Sequence, residues 1–181
     1  ANQISIHASL ASLEWQGKRL NIVDTPGTSG FIGETIAAFR ATEAALMLVD
    51  GRVGPQIETI KLWRRLDDMN TPRAIFINKM DREHADYTKV LDALKESFKT
   101  TLVPVAIPMG SGKDFKGIIN LIENKAYFAH PEAKETAGDI PAEYADMAEE
   151  YRTIRLESAA EGADEVKVPA LADVSLRLFE A

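Results

Sequence analysis

Residues 73–81 read Arg73-Ala-Ile-Phe-Ile-Asn-Lys-Met-Asp81, and the fold is decided here. Ala74 to Ile77 form a continuous apolar run, the pattern of a short parallel strand buried between helices on both faces. The run delivers Asn78, Lys79, Met80 and Asp81 to the point where the strand would end. In open parallel sheets, ligands bind just beyond the carboxyl ends of the strands. An amide, an ammonium and a carboxylate placed there can read the edge of a planar base. Asp81 can accept two hydrogen bonds from a guanine, at N1–H and the exocyclic amine. Adenine has no donor at N1 and leaves the carboxylate poorly paired, which is how a polar site discriminates. Lys79 can lay its methylene stem over the base, and Asn78 can bond the ring edge or brace a neighbouring loop. Taken alone, the four residues read first as a polar turn capping a strand end.

Moving outward, Ile4 to Leu13 alternates in polarity and predicts a long strand, Trp15-Gln-Gly-Lys18 a tight turn at Gly17, and Leu20 to Val23 a second strand. This hairpin ends in Asp24-Thr25-Pro26-Gly27, a second polar cluster at a strand terminus. A carboxylate there can hold a magnesium ion through water, and a glycine three residues later lets its N–H approach a terminal phosphate. A plain Pro-Gly turn is the alternative. Ile32 to Thr42 predicts a helix with Ile32, Ile36, Ala37 and Phe39 near one face. Ala45 to Val49 predicts a strand ending in Asp50-Gly51. Gln56 to Met69 predicts an amphipathic helix carrying Ile57, Ile60, Trp63, Leu66 and Met69. Tyr87, Val90, Leu91, Leu94 and Phe98 mark another helix, and Val103 to Ile107 another strand. Strands and helices alternate with polar clusters at strand ends, which predicts an α/β fold with a doubly wound, mostly parallel sheet.

The rhythm changes after Pro108. Gly110-Ser-Gly-Lys113 is glycine-rich, but it fails the G-x-x-x-x-G-K-[ST] test: Ile107 stands at the first glycine and Asp114 follows the lysine. It reads as a loop. Residues 115–122 and 125–128 predict short strands of a separate small sheet. A helix with Pro141 in its first turn runs to about Ala160, its apolar stripe Tyr144, Met147, Tyr151 and Ile154. Glu143, Asp146, Glu149 and Glu150 form a solvated acidic face. Val166 to Leu171 predicts one more strand and Val174 to Phe179 one more helix.

Composition narrows the function. The 181 residues include no cysteine, which excludes disulfides and thiolate metal sites. His7, His84 and His130 show no ligand spacing. A net charge of −7 argues against a broad basic face for nucleic acid. No apolar run reaches membrane-spanning length, so no membrane partner is expected.

Asp24-Thr-Pro-Gly27 followed by Asn78-Lys-Met-Asp81 resembles the guanine-nucleotide-binding domain of translational GTPases. Asn21-Ile-Val-Asp-Thr-Pro-Gly27, Val49-Asp-Gly51 before a helix with Glu58-Thr59 and Trp63, and Ile77-Asn-Lys-Met-Asp-Arg82 narrow the resemblance to elongation factor G. So do Phe115-Lys-Gly-Ile-Ile-Asn-Leu121, Lys125-Ala126, Asp139-Ile-Pro-Ala-Glu-Tyr144 and Ala148-Glu-Glu-Tyr-Arg152, which match that family's insertion. The resemblance covers about residues 3–165 and disfavours a release-factor-like or ribosomal-protection GTPase. It implies a P-loop GTPase-like G domain in residues 1–108, an α+β insertion in 109–165 and a return to the G domain in 166–181. It implies GTP or GDP as ligand, with Asp24, Thr25, Pro26, Gly27, Asn78, Lys79, Met80 and Asp81 binding it. Asp24 would help hold magnesium through water, Gly27 would sense the γ-phosphate, and residues 24 to about 40 would form the second switch. The ribosome is the implied partner and the cytoplasm the implied place, with GTP hydrolysis driving a step such as translocation.

Three departures qualify this. No phosphate-binding loop is present, so the chain is expected to be a fragment that hydrolyses GTP negligibly by itself. Elongation factor G has a water-orienting histidine after Asp-Thr-Pro-Gly, and Thr28 stands there, followed by Ser29-Gly30. That points to an elongation factor G-like paralogue, or to a non-hydrolysing G-domain paralogue acting as a binding or regulatory module. Finally, the family's last base-contacting Ser-Ala pair has no counterpart, since Ser158-Ala159 falls within the insertion's helix.

Overall fold

The computed structural model describes residues 4–129 and 136–161. The chain divides into two units, one made of residues up to Val49 with Pro55–Phe76, the other of Asp50–Gly54 with residues from Ile77 onward.

In the first unit, Gln16 and Gly17 take positive φ (47° and 72°) and join β1 (Ser9–Trp15) to β2 (Lys18–Asp24) as an antiparallel hairpin. The pairing ends at Ser9 opposite Asp24, so the alternation seen from Ile4 begins as strand only at Ser9. Residues 4–8 carry no strand, and the Ala8 N–H donates instead to the Glu34 carboxylate at 3.0 Å. α1 (Ile32–Phe39) buries Thr35 and Ala38, while Ala37 is exposed. The buried stripe is therefore rotated from the predicted one. Thr35 can go inside because its hydroxyl donates to the Pro26 carbonyl at 3.1 Å.

β3 (Ala45–Asp50) and β4 (Arg73–Asn78) are hydrogen-bonded neighbours. The Ala45 N–H donates to Pro72 O at one end and the Gly51 N–H to Asn78 O at the other, so the two strands run parallel. On β3, Met47 and Val49 are buried while Leu48 is 63% exposed, and β4 is half-buried throughout. α2 (Ile57–Asp68) starts where the Gln56 N–H donates to Thr59 Oγ1 at 3.3 Å. It buries Trp63 and Leu66 but leaves Ile57, in its first turn, exposed. The Arg73 guanidinium lies 3.9 Å from the Trp63 ring centroid and pairs with Asp67, which ties β4 to α2.

In the second unit, α3 (Tyr87–Phe98) is capped by Asp86, whose carboxylate accepts the Lys89 N–H at 3.0 Å. Val90, Leu91 and Leu94 are buried as their spacing predicts, each contributing about 1.5–3 kcal/mol by leaving water. The helix closes at Lys99 in the left-handed region. The strand expected at Val103–Ile107 is β5 (Ala106–Met109), shifted towards the C-terminus because Pro104 has no N–H to give. It pairs antiparallel with β6 (Gly117–Asn120), in a four-stranded sheet completed by β7 (Lys125–Phe128) and β8 (Thr136–Gly138). Gly117 has φ +141°, and a Cβ there would lie 2.0 Å from Tyr127 O, so the β6–β7 approach requires glycine.

α4 (Ala142–Glu161) follows Pro141. Ile107, Met109, Ile119, Leu121, Ala126 and Ala148 form one buried cluster, with Tyr144, Met147 and Tyr151 packed against it. Three residues of the predicted stripe thus face the core around Ala148, Ile154 is half-buried outside that cluster, and Glu143, Asp146, Glu149 and Glu150 are exposed. The strand expected at 166–171 and the helix at 174–179 lie outside the described residues. Among the described residues, no helix is long and apolar enough to cross a membrane.

Candidate functional site

The chain leaves β4 through a turn whose backbone is held on three sides. Asn78 Oδ1 accepts the Lys79 N–H at 2.8 Å, and Lys79 adopts φ +62°, a conformation few residues other than glycine take. Asn78 O accepts the Gly51 N–H at 2.8 Å, and Met80 O accepts the Gly112 N–H at 2.7 Å. Met80 itself is buried. Gly51 O in turn accepts the Asp86 N–H at 3.0 Å, so the turn, the 50–54 loop and the start of α3 form one backbone network. A Cβ at Gly51 would meet Met80 Sδ at 2.7 Å and Asn78 O at 3.0 Å, which is why a glycine follows Asp50.

Between these fixed points Asp81 points outward, 54% exposed, with Oδ2 3.4 Å from Arg82 Nε. The loop bracing at Asn78 comes from its backbone carbonyl and not from the expected side-chain amide, which holds its own turn. Gly112, from the loop that failed the phosphate-loop test, takes part in the bracing.

Asp50 and Arg52 are not among the site residues expected from the sequence. Lys79 Nζ lies 3.0 Å from Asp50 Oδ2. Arg52 grips the same carboxylate with Nε at 2.9 Å, Nη2 at 2.6 Å and its N–H at 3.0 Å. The Arg52 guanidinium, opposed by burial and helped by Lys79, holds the Asp50 carboxyl well below the usual carboxylate range. A depressed carboxyl stabilises fully above its unfolded pKa and loses that contribution as the pH falls through its folded value. Asp50 is therefore ionised throughout the neutral range. The signal for it lies in Val49-Asp50-Gly51: a carboxylate closing the strand next to β4 ends level with the turn after Asn78. A polar cleft of about 380 Å³, lined by Arg52, Gly54, His84, Asp86 and Lys89 among others, opens on this loop.

The second predicted cluster is built more openly. β2 ends at Asp24, which is exposed, and Thr25 is half-buried. Pro26 is buried, its carbonyl held by Thr35. Gly27 and Thr28 are exposed, and nothing lies within 4 Å of where a Gly27 Cβ would be. Thr28 O accepts the Phe31 N–H at 3.0 Å, starting a short 3-10 turn, Ser29–Phe31, that leads into α1. Its side chain makes no capping bond.

No group of three or more His, Asp or Glu among the described residues could hold a metal ion. Asp24 is a single carboxylate. Magnesium at nucleotide sites takes one or two carboxylates and completes its shell with water and phosphate oxygens, so Asp24 fits a nucleotide-borne magnesium and not an all-protein cage.

The chain matches the elongation factor Tu GTP binding domain over residues 1–168. It is 40% identical over 167 residues to elongation factor G of Wolbachia pipientis, covering 90% of this chain and 24% of that protein. It is 37% identical over 146 residues to an elongation factor G-like protein of Thermotoga maritima, covering 81% of this chain and 21% of the relative. The chain thus spans about a fifth to a quarter of the length of these curated relatives. A crystal structure from Thermus thermophilus matches with a TM-score of 0.81 at 28% identity, over 90% of this chain and 24% of that one. A parallel strand pair ending in Asn-Lys-Met-Asp, a hairpin ending in Asp-Thr-Pro-Gly and these matches agree: the chain belongs to the elongation factor Tu GTP-binding domain family, and within it is similar to elongation factor G.

Proposed function

We propose that this chain is the guanine-nucleotide-binding part of a cytoplasmic translational GTPase that couples GTP binding and hydrolysis to a ribosomal step such as translocation. Asp81 accepts from the guanine edge, Lys79 covers the base, and Asn78 and Met80 fix the turn that presents them. Asp24 helps hold magnesium through water, and the Gly27 N–H meets the γ-phosphate, with Thr25 and Pro26 shaping that loop. Magnesium supplies charge neutralisation at the phosphates when bound. In this reading residues 1–108 and 166–181 are G domain, and 109–165 are an insertion of the elongation factor G type.

One observation carries the reading: the Asn78–Asp81 turn is fixed by backbone bonds on both sides and buries Met80, while Asp81 stays exposed. A rigid turn holding out one carboxylate suits a reader that must reject adenine. The test is nucleotide competition in the full-length protein with Asp81→Asn. Guanosine affinity should fall about 10- to 100-fold, the loss of a charged acceptor facing two donors, and preference should pass to xanthosine nucleotides. Unchanged guanine preference would remove Asp81 from its role. Ribosome-stimulated GTP turnover then tests the hydrolytic half: nucleotide binding without turnover would leave a binding module, with Thr28 as the reason.

A further inference from the structure

The Lys79 side chain stands half in solvent. Its ammonium is drawn back to Asp50, a residue 29 positions earlier in the chain. The Asp50 carboxylate is itself fixed, accepting three hydrogen bonds from Arg52 and one from Lys79. Its side chain is only 19% exposed, against 50% for Lys79. Arg52 alone would satisfy an ordinary strand-end carboxylate, and its planar fork suits that work. The remaining lone pair faces the one side chain whose long flexible stem would otherwise have to be ordered when a base arrives. Ordering such a stem before binding lowers the entropic cost of the binding step.

We propose that Asp50 is a positioning residue for base recognition: braced by Arg52, it clamps the Lys79 ammonium and presets the stem that covers the guanine. This rests on the guanine-reading assignment of Asn78 to Asp81. Asp50 touches no ligand in this account. It acts only through Lys79.

The experiment measures affinity and dissociation rate of fluorescent GDP on the full-length protein. Asp50→Asn, which keeps shape and removes charge, should weaken binding about two- to five-fold, the range of a partly exposed ion pair. The loss should shrink as salt rises, because screening already weakens the pair. In a Lys79→Met background the same Asp50→Asn change should add nothing. An equal loss in both backgrounds would make Asp50 a structural residue and overturn the proposal, as would no loss in the native background. If Asp50→Asn fails to fold by its melting curve, Arg52→Met reads the same quantity: a loss with Lys79 present and none with Lys79→Met. Asp81→Asn serves as control. A xanthosine switch there, with no Asp50 effect, sinks only the clamp; no switch sinks the guanine-reading assignment itself.

Discussion

The two turns that carry the polar clusters are built in opposite ways. Asn78–Asp81 is held through main-chain bonds to Gly51 and Gly112, a buried Met80 and a clamped Lys79. In Asp24–Gly27, Asp24 ends the hairpin opposite Ser9 and the Pro26 carbonyl accepts from the Thr35 hydroxyl, while the glycine faces open space among the described residues. The contrast matches the two tasks proposed for them. Telling one base from another requires groups that do not yield, since a yielding acceptor would adapt to the wrong partner. Sensing a terminal phosphate requires a segment that orders with the ligand and lets go afterwards, which favours few fixed contacts.

Four substitutions test that contrast through the melting temperature and denaturant midpoint. Gly51→Ala should be the costliest, about 1–3 kcal/mol, because the new methyl presses on the Asn78 carbonyl as well as on the movable Met80 side chain. Thr35→Val comes next, roughly 1–2 kcal/mol, by leaving the Pro26 carbonyl without its donor. Asp86→Ala should cost about 1 kcal/mol through the lost cap on α3. Gly27→Ala should change stability by no more than about 0.5 kcal/mol, since nothing stands in the way. Its effect should appear instead as weaker preference for GTP over GDP in the full-length protein. A Gly27→Ala loss as large as that of Gly51→Ala would erase the distinction between the turns. A negligible Thr35→Val effect would sharpen it, leaving the 24–27 loop with still less to hold it.

Much of the fold is legible in the sequence. The apolar run before Asn78 announces a strand end, and the spacing of Val90, Leu91 and Leu94 announces a helix face, because both are local periodicities. Two local expectations moved. α1 turned its inward stripe to Thr35 and Ala38 once the Pro26 carbonyl supplied a partner for the hydroxyl. The strand near Val103 slid to Ala106, where a ladder with β6 was available past Pro104. β8 carries no signal, since three residues, Thr136 to Gly138, are too few to show a period.

Most element types, the two polar clusters and the family can be read from the chain alone, because they live in short windows or in residue identity. The tertiary structure decided how rigidly each cluster is held. The Asn78–Asp81 turn depends on contacts from Gly51, Gly112 and Asp50, residues remote from it in the chain, with 29 positions separating Asp50 from Lys79. No local pattern encodes such pairings, because they depend on which strand lies beside which and on the backbone hydrogen bonds left over at the strand ends.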